Sequence, residues 1–188
     1  MMRHRRTPRP AAALAAGAAL LVPLAGGPPA SAAAPTERTL TDPIDAGASY
    51  DAVSVRLFAA AGPGRRAKVV VKHDRRARSG DGIDMWIDLD GDRSPDVHLT
   101  GLAFSEYVVH RTRSFTGHGK DISDRDCVSL KITGRRAVVK LEPDCLGPSR
   151  TYAVAVRSFR DGDPKVGADW VPGPRRLSPK VASYARKE

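Results

Sequence analysis

The 188-residue chain carries 31 basic against 21 acidic side chains, a formal charge of +10 at pH 7, with 5% aromatic residues. That length suits one domain with a real core better than two. The moderate basic excess favours anionic polymers or acidic partners and lacks the interleaved aromatics of a nucleic-acid binder; with neither Asn nor Gln in the chain, N-glycosylation sequons are excluded.

Residues 1–32 read as a signal peptide. Arg3, His4, Arg5, Arg6 and Arg9 form a basic start, Ala11–Ala25 is almost wholly apolar, and Ala30-Ser31-Ala32 offers an A-x-A cleavage site. The apolar run is short of the ~20 residues a bilayer span needs, so a secreted, extracellular product without an integral membrane segment is expected. Loss of four arginines would lower the basic count from 31 to 27 against 21 acids, a charge of +6. Arg5-Arg6 hints at twin-arginine export, but no hydrophobic residue follows the pair.

Residues 33–48, rich in Ala, Pro, Thr and Gly, are expected to form a flexible linker. From there the dominant period is two. Val53–Leu57, Lys68–Lys72, Ile83–Asp88, Val97–Thr100, Tyr107–Arg113, Val128–Thr133, Ala137–Leu141 and Tyr152–Val156 each alternate or nearly alternate apolar side chains with others. Gly62-Pro63-Gly64, Ser79-Gly80-Asp81-Gly82, Asp90-Gly91-Asp92, Thr116–Gly119, Thr133-Gly134 and Leu146-Gly147-Pro148 punctuate them as turns. About eight short strands with one apolar face each, and no long amphipathic helix, predict an all-β antiparallel β-sandwich over residues 49–172. Residues 173–188, with Arg175, Arg176, Lys180, Arg186 and Lys187, are expected to be a basic flexible tail.

Cys127 and Cys145 are the two cysteines. An even count in an exported chain predicts a disulfide, and the hairpin expected around Gly134-Arg135 would bring its flanks together.

The most distinctive segment is Asp88-Leu89-Asp90-Gly91-Asp92-Arg93-Ser94-Pro95-Asp96. Calcium takes six to eight hard oxygens, and carboxylates at alternate positions of a tight loop can converge on one ion. Asp88, Asp90, Asp92, a carbonyl near Ser94 and Asp96 form the candidate ligand set. The alternative is a solvated hairpin turn, for which Asp and Gly are also the expected residues. The nine residues resemble the calcium loops of FG-GAP (integrin-type) repeats, D-x-[DN]-G-D-G-x-P-D, matching at Gly91, Pro95 and Asp96 as well as at the first three acids. Arg93 stands where that family has a second glycine, a position that favours positive φ. The resemblance implies a calcium loop and not a propeller, which needs many copies. The wider layout of signal peptide, β-rich domain, acidic hairpin, single disulfide and Asp169-Trp170-Val171-Pro172 resembles uncharacterised secreted domains of GC-rich bacteria and implies no particular activity.

Trp86 alternates with Ile83, Met85 and Ile87 and shares a strand face with Asp84 and Asp88. It is therefore a possible ligand contact as a sugar-stacking platform, unless loops or a terminus cover it. Trp170 is expected to close the core. His4, His73, His98, His110 and His118 show no recognised ligand spacing; they are expected to be solvated strand or loop residues, although His98 and His110 could meet in space. The basic run Lys72–Arg78 reads as a solvated hairpin loop that could touch an anionic wall polymer. With no GxSxG, SxxK or P-loop motif, the expected function is a non-catalytic extracellular binding or structural module. Its expected partners are an anionic cell-wall polymer, a glycan or a secreted protein. A secreted hydrolase with a site assembled from scattered residues is the alternative.

Overall fold

The computed structural model describes residues 33–45, 47–162 and 167–185; the expected signal peptide lies outside them. Among the described residues there are eleven strands: β1 (Glu37–Thr41), β2 (Ala52–Phe58), β3 (Ala67–His73), β4 (Asp81–Asp88), β5 (Val97–Leu102), β6 (Tyr107–Arg111), β7 (Val128–Thr133), β8 (Arg136–Leu141), β9 (Thr151–Arg160), β10 (Asp169–Val171) and β11 (Val181–Ala182). The first sheet runs β1-β2-β3-β8-β7. The second runs β10-β9-β4-β5-β6, with β11 also paired to β9. Every strand pair is antiparallel. This is the all-β sandwich that the period-two pattern predicts, with each expected strand in place.

Alternation decides which side chains face inward. Val55 and Leu57 of β2, Val69 and Val71 of β3, and Ala137 and Val139 of β8 meet Ile83, Met85 and Ile87 of β4, Leu99 of β5, and Val154 and Val156 of β9 in one buried cluster. Several polar contacts stitch the two sheets together. Tyr152 Oη donates to the Phe58 carbonyl at 2.9 Å, His73 Nε2 lies 3.1 Å from Ser158 Oγ, and the Ala52 N–H donates to Asp169 Oδ2 at 2.7 Å. His73 is fully buried and stacks on Tyr50 with ring centroids 3.8 Å apart. Burial pulls its pKa down to about 3, so it packs as a neutral ring.

Four expectations need correction. The stretch read as a linker contains β1, because Thr39 and Leu40 find backbone partners on β2 at Arg56 and Val55. The stretch read as a loose tail contains β11, buried at Val181 and Ser183, and the Ser178 N–H donates to the Val154 carbonyl. Lys72–Arg78 is no hairpin loop: it carries the chain from one sheet to the other. Arg75 anchors it with a fork onto buried Asp81 at 2.6 and 2.8 Å. Finally, β4 is buried at every position, so the second sheet is covered on both faces along its centre rather than on one.

Cys127, just before β7, bonds to Cys145 in a short helix, α1 (Pro143–Leu146), with Cα atoms 5.5 Å apart. The predicted disulfide is present. It ties the ends of the β7–β8 hairpin, which turns at Gly134 with φ 60°. The chain-entropy argument assigns such a loop ~3 kcal/mol. The double variant Cys127→Ala/Cys145→Ala is therefore expected to lose about that much unfolding free energy in urea titration.

His73 makes a second prediction. The unfolded chain takes up a proton on this ring below about its ordinary 6.5, whereas the folded protein resists until about 3. Stability from the neutral ring is complete above 6.5 and drains away as pH falls through that window, by at most about 1.4 kcal/mol per pH unit. Comparison with His73→Gln cancels the other titrating groups. The variant should be clearly weaker at pH 7, and its deficit should shrink steadily towards pH 4; a deficit independent of pH would contradict the burial argument.

Candidate functional site

The acidic segment forms the loop between β4 and β5. Asp88 ends β4 and is buried, Asp96 immediately precedes β5, and Asp90 projects from the loop. Carboxylate oxygens of Asp88, Asp90 and Asp96 lie within 4.8 Å of one another, about twice a calcium–oxygen distance. The loop is also self-bonded. The Gly91 and Arg93 N–H groups donate to Asp88 at 2.6 and 3.2 Å, and the Leu89 N–H donates to Asp96 Oδ2 at 2.7 Å. Gly91 and Arg93 have φ of 83° and 74°, so the arginine adopts the conformation that a glycine would hold more cheaply. Burial, then the carboxylates of Asp90 and Asp88, raise the Asp96 pKa.

The four predicted carboxylate ligands therefore divide. Asp88, Asp90 and Asp96 come together. Asp92 is exposed, and its carboxylate accepts from the Ser94 N–H at 2.6 Å; it is not in the convergent group. Lys180 lies over the loop, donating from Nζ to the Gly91 carbonyl at 2.7 Å. A Cβ on Gly91 would collide with that ammonium.

Trp86 does share its face with Asp84 and Asp88, but it is only 4% exposed. It is no open platform. The Trp170 ring stacks on it at 5.0 Å, the His98 ring at 4.7 Å, and Phe115 leans in at 5.5 Å. The expectation that Trp170 closes the core is corrected in the same observation: it is half-buried on the outer side of the second sheet, while its neighbour Val171 enters the core. Beneath these rings sits buried Asp84. Its carboxylate accepts from Arg157 Nε at 2.6 Å and lies 3.3 Å from His98 Nε2. Burial alone would raise its pKa. The bonds from His98 and Thr100 and the charge of Arg157 outweigh that and hold it below the usual carboxylate range.

His98 and His110 are direct partners across β5 and β6, and His118 joins them, its ring centroid 5.0 Å from one and 5.5 Å from the other. His98 is 3% exposed, which contradicts the expectation of solvated histidines. One signal in the sequence points to the pair: both stand six residues from Phe104, the middle of the Ala103–Ser105 turn.

The outer face of the first sheet had no counterpart in the sequence reading. Its outward positions are Glu37, Thr39 and Thr41; Ser54, Arg56 and Phe58; Lys68, Val70 and Lys72; Arg136, Val138 and Lys140; and Ser129, Lys131 and Thr133. Six are cations, all exposed, and one is an acid. Glu37 pairs with Arg56. Lys68 and Lys140 are directly opposed across β3 and β8, and Arg56 and Lys68 both lie over the Phe58 ring at 4.9 and 4.6 Å. A groove of about 520 Å³ opens beside them, lined by Phe58, Arg65, Arg66, Lys68 and Lys140 among others. Like charges directly opposed on a sheet are mutually destabilising, so this face is arranged at some cost to stability.

Comparison with known protein families, curated proteins and solved structures finds no match to this chain.

Proposed function

We propose that this protein is a secreted, non-catalytic binding module. Its cationic sheet face holds an anionic polymer of the cell envelope, and calcium rigidifies the loop Asp88–Asp96. The observation that carries the reading is the row of Arg56, Lys68, Lys72, Lys131, Arg136 and Lys140 on one exposed surface with Glu37 as the single acid. Adjacent strands in a sheet lie about 4.8 Å apart and same-face residues repeat every second position. The cations therefore form a two-dimensional lattice that suits a repeating polyanion better than a compact ligand. Phe58 adds an apolar patch within the lattice. The glycan reading through Trp86 has less support, because that ring is covered.

The hydrolase alternative draws no support from the two histidine contacts that resemble catalytic pairs. His73 with Ser158, and His98 with Asp84, are all 3% exposed or less, which leaves a substrate no approach to them.

Retention on immobilised polyglycerol phosphate tests the polymer reading. Binding at low salt should fade as salt approaches ~1 M, where the screening length falls to about 3 Å. The double reversal Lys68→Glu/Lys140→Glu should weaken it about tenfold or more. Retention that ignores both salt and the reversal would refute this function.

For the loop, calcium should raise the melting midpoint relative to chelator, by mass action on the folded state. The rise should shrink in Asp90→Ala. An equal rise in the variant would reduce Asp88–Asp96 to an ordinary turn.

A further inference from the structure

A second group of carboxylates lies far from the acidic loop in sequence. Asp42 follows β1, Asp45 lies in the β1–β2 connection, Asp51 immediately precedes β2, and Asp169 opens β10. Oxygens of Asp42, Asp45 and Asp169 all lie within 4.8 Å of one another. Asp51 adds an independent observation. It is 1% exposed, its Oδ2 accepts from the Asp45 N–H, and its Oδ1 has no hydrogen-bond partner among the described residues. A buried carboxylate oxygen without a partner is costly, and the other oxygen of this carboxylate holds the backbone of Asp45, whose own carboxylate belongs to the convergent group.

Two of the other buried aspartates are neutralised by arginine. Asp81 is forked by Arg75 and Asp84 by Arg157. Among the described residues, none of Asp42, Asp45, Asp51 and Asp169 forms an ion pair. A group crowded in this way at neutral pH lacks a positive charge.

We propose that Asp42, Asp45, Asp51 and Asp169 form a binding site for a divalent cation of the calcium class, separate from the Asp88–Asp96 loop. Hard carboxylate oxygens, with neither nitrogen nor sulfur in the set, suit calcium over zinc or copper. An ion within about 2.3–2.6 Å of each ligand can reach oxygens spaced up to about 5 Å apart, which the three convergent carboxylates satisfy. The ion would supply the positive charge that these carboxylates lack and engage the carboxylate of Asp51. Its structural effect follows from where the ligands stand: Asp42, Asp45 and Asp51 flank strands of the first sheet, and Asp169 begins an edge strand of the second. The cation is a clasp between the two sheets, at the place where the Ala52 N–H already meets Asp169.

Calorimetric titration of chelator-stripped protein with calcium chloride tests this. Asp51→Asn and Asp45→Ala should each bind one ion fewer than the unaltered protein, and Asp90→Ala should keep the ion that they lose. Asp45 is exposed, so its substitution leaves the fold intact even where Asp51→Asn does not. If the Asp88–Asp96 loop takes no calcium, the unaltered protein and Asp90→Ala both bind one ion while the cluster variants bind none, so the two sites succeed or fail separately. Terbium gives a second readout. In the Asp90→Ala background, emission excited through Trp170, next to Asp169, should persist and be competed by calcium, and adding Asp45→Ala should abolish it. Full stoichiometry in both Asp45→Ala and Asp51→Asn, or no calcium bound by the unaltered protein at millimolar concentration, overturns the proposal.

Discussion

Burial of one face of each sheet against the other places everything else in this molecule. Val55, Leu57, Val69, Val71 and Val139 on one side, with Ile83, Met85, Leu99, Val154 and Val156 on the other, are removed from water almost completely. The register that achieves this fixes every outward position by default, because a slip of one residue would turn each strand over. The cationic lattice, the covered Trp86 and the paired His98 and His110 are all consequences of that register. The polar contacts of Tyr152, His73 and Asp169 across the layer add directional constraints to an otherwise non-directional contact.

The charges are sorted with unusual consistency. Cations occupy the outward face of the first sheet. Most of the buried or partly buried aspartates stand at or beside strand ends, and two kinds of surroundings can be distinguished among them. Asp81 and Asp84 are each met by an arginine fork, which holds the carboxylate ionised despite burial. Asp42, Asp51, Asp96 and Asp169 face mainly other carboxylates, and their pKa values move the opposite way. A single physical need, positive charge, accounts for the contrast, and it underlies both the calcium reading of the loop and the inter-sheet site.

The sandwich was legible because strand periodicity is a local property: Val128–Thr133 and Ala137–Leu141 announce a hairpin within fourteen residues, and the cysteines flanking them announce their bond. Much of the acidic loop was legible for the same reason, since Asp88, Asp90 and Asp96 belong to one short segment. Its finer division was not. Whether Asp92 joins the convergent carboxylates or accepts from the Ser94 N–H depends on backbone angles at Gly91 and Arg93 that composition does not specify. The strands β1 and β11 were missed because Glu37–Thr41 and Val181–Ala182 are short and weakly patterned, and gain their hydrogen bonds only from β2 and β9. Between an open and a covered Trp86 the local pattern does not choose, because what covers it, Trp170 and Phe115, comes from distant parts of the chain.

Residue order alone therefore determined the alternation, the fold class, the cross-link and the candidate calcium loop, since each depends on neighbours within a few residues. Only tertiary structure decided that six cations from four strands share one surface, that Asp169 meets Asp42 across more than a hundred residues, and that Trp86 is covered. Those arrangements depend on which strands pair and which loops fold back, and pairing is settled by the burial of whole sheets rather than by any local pattern.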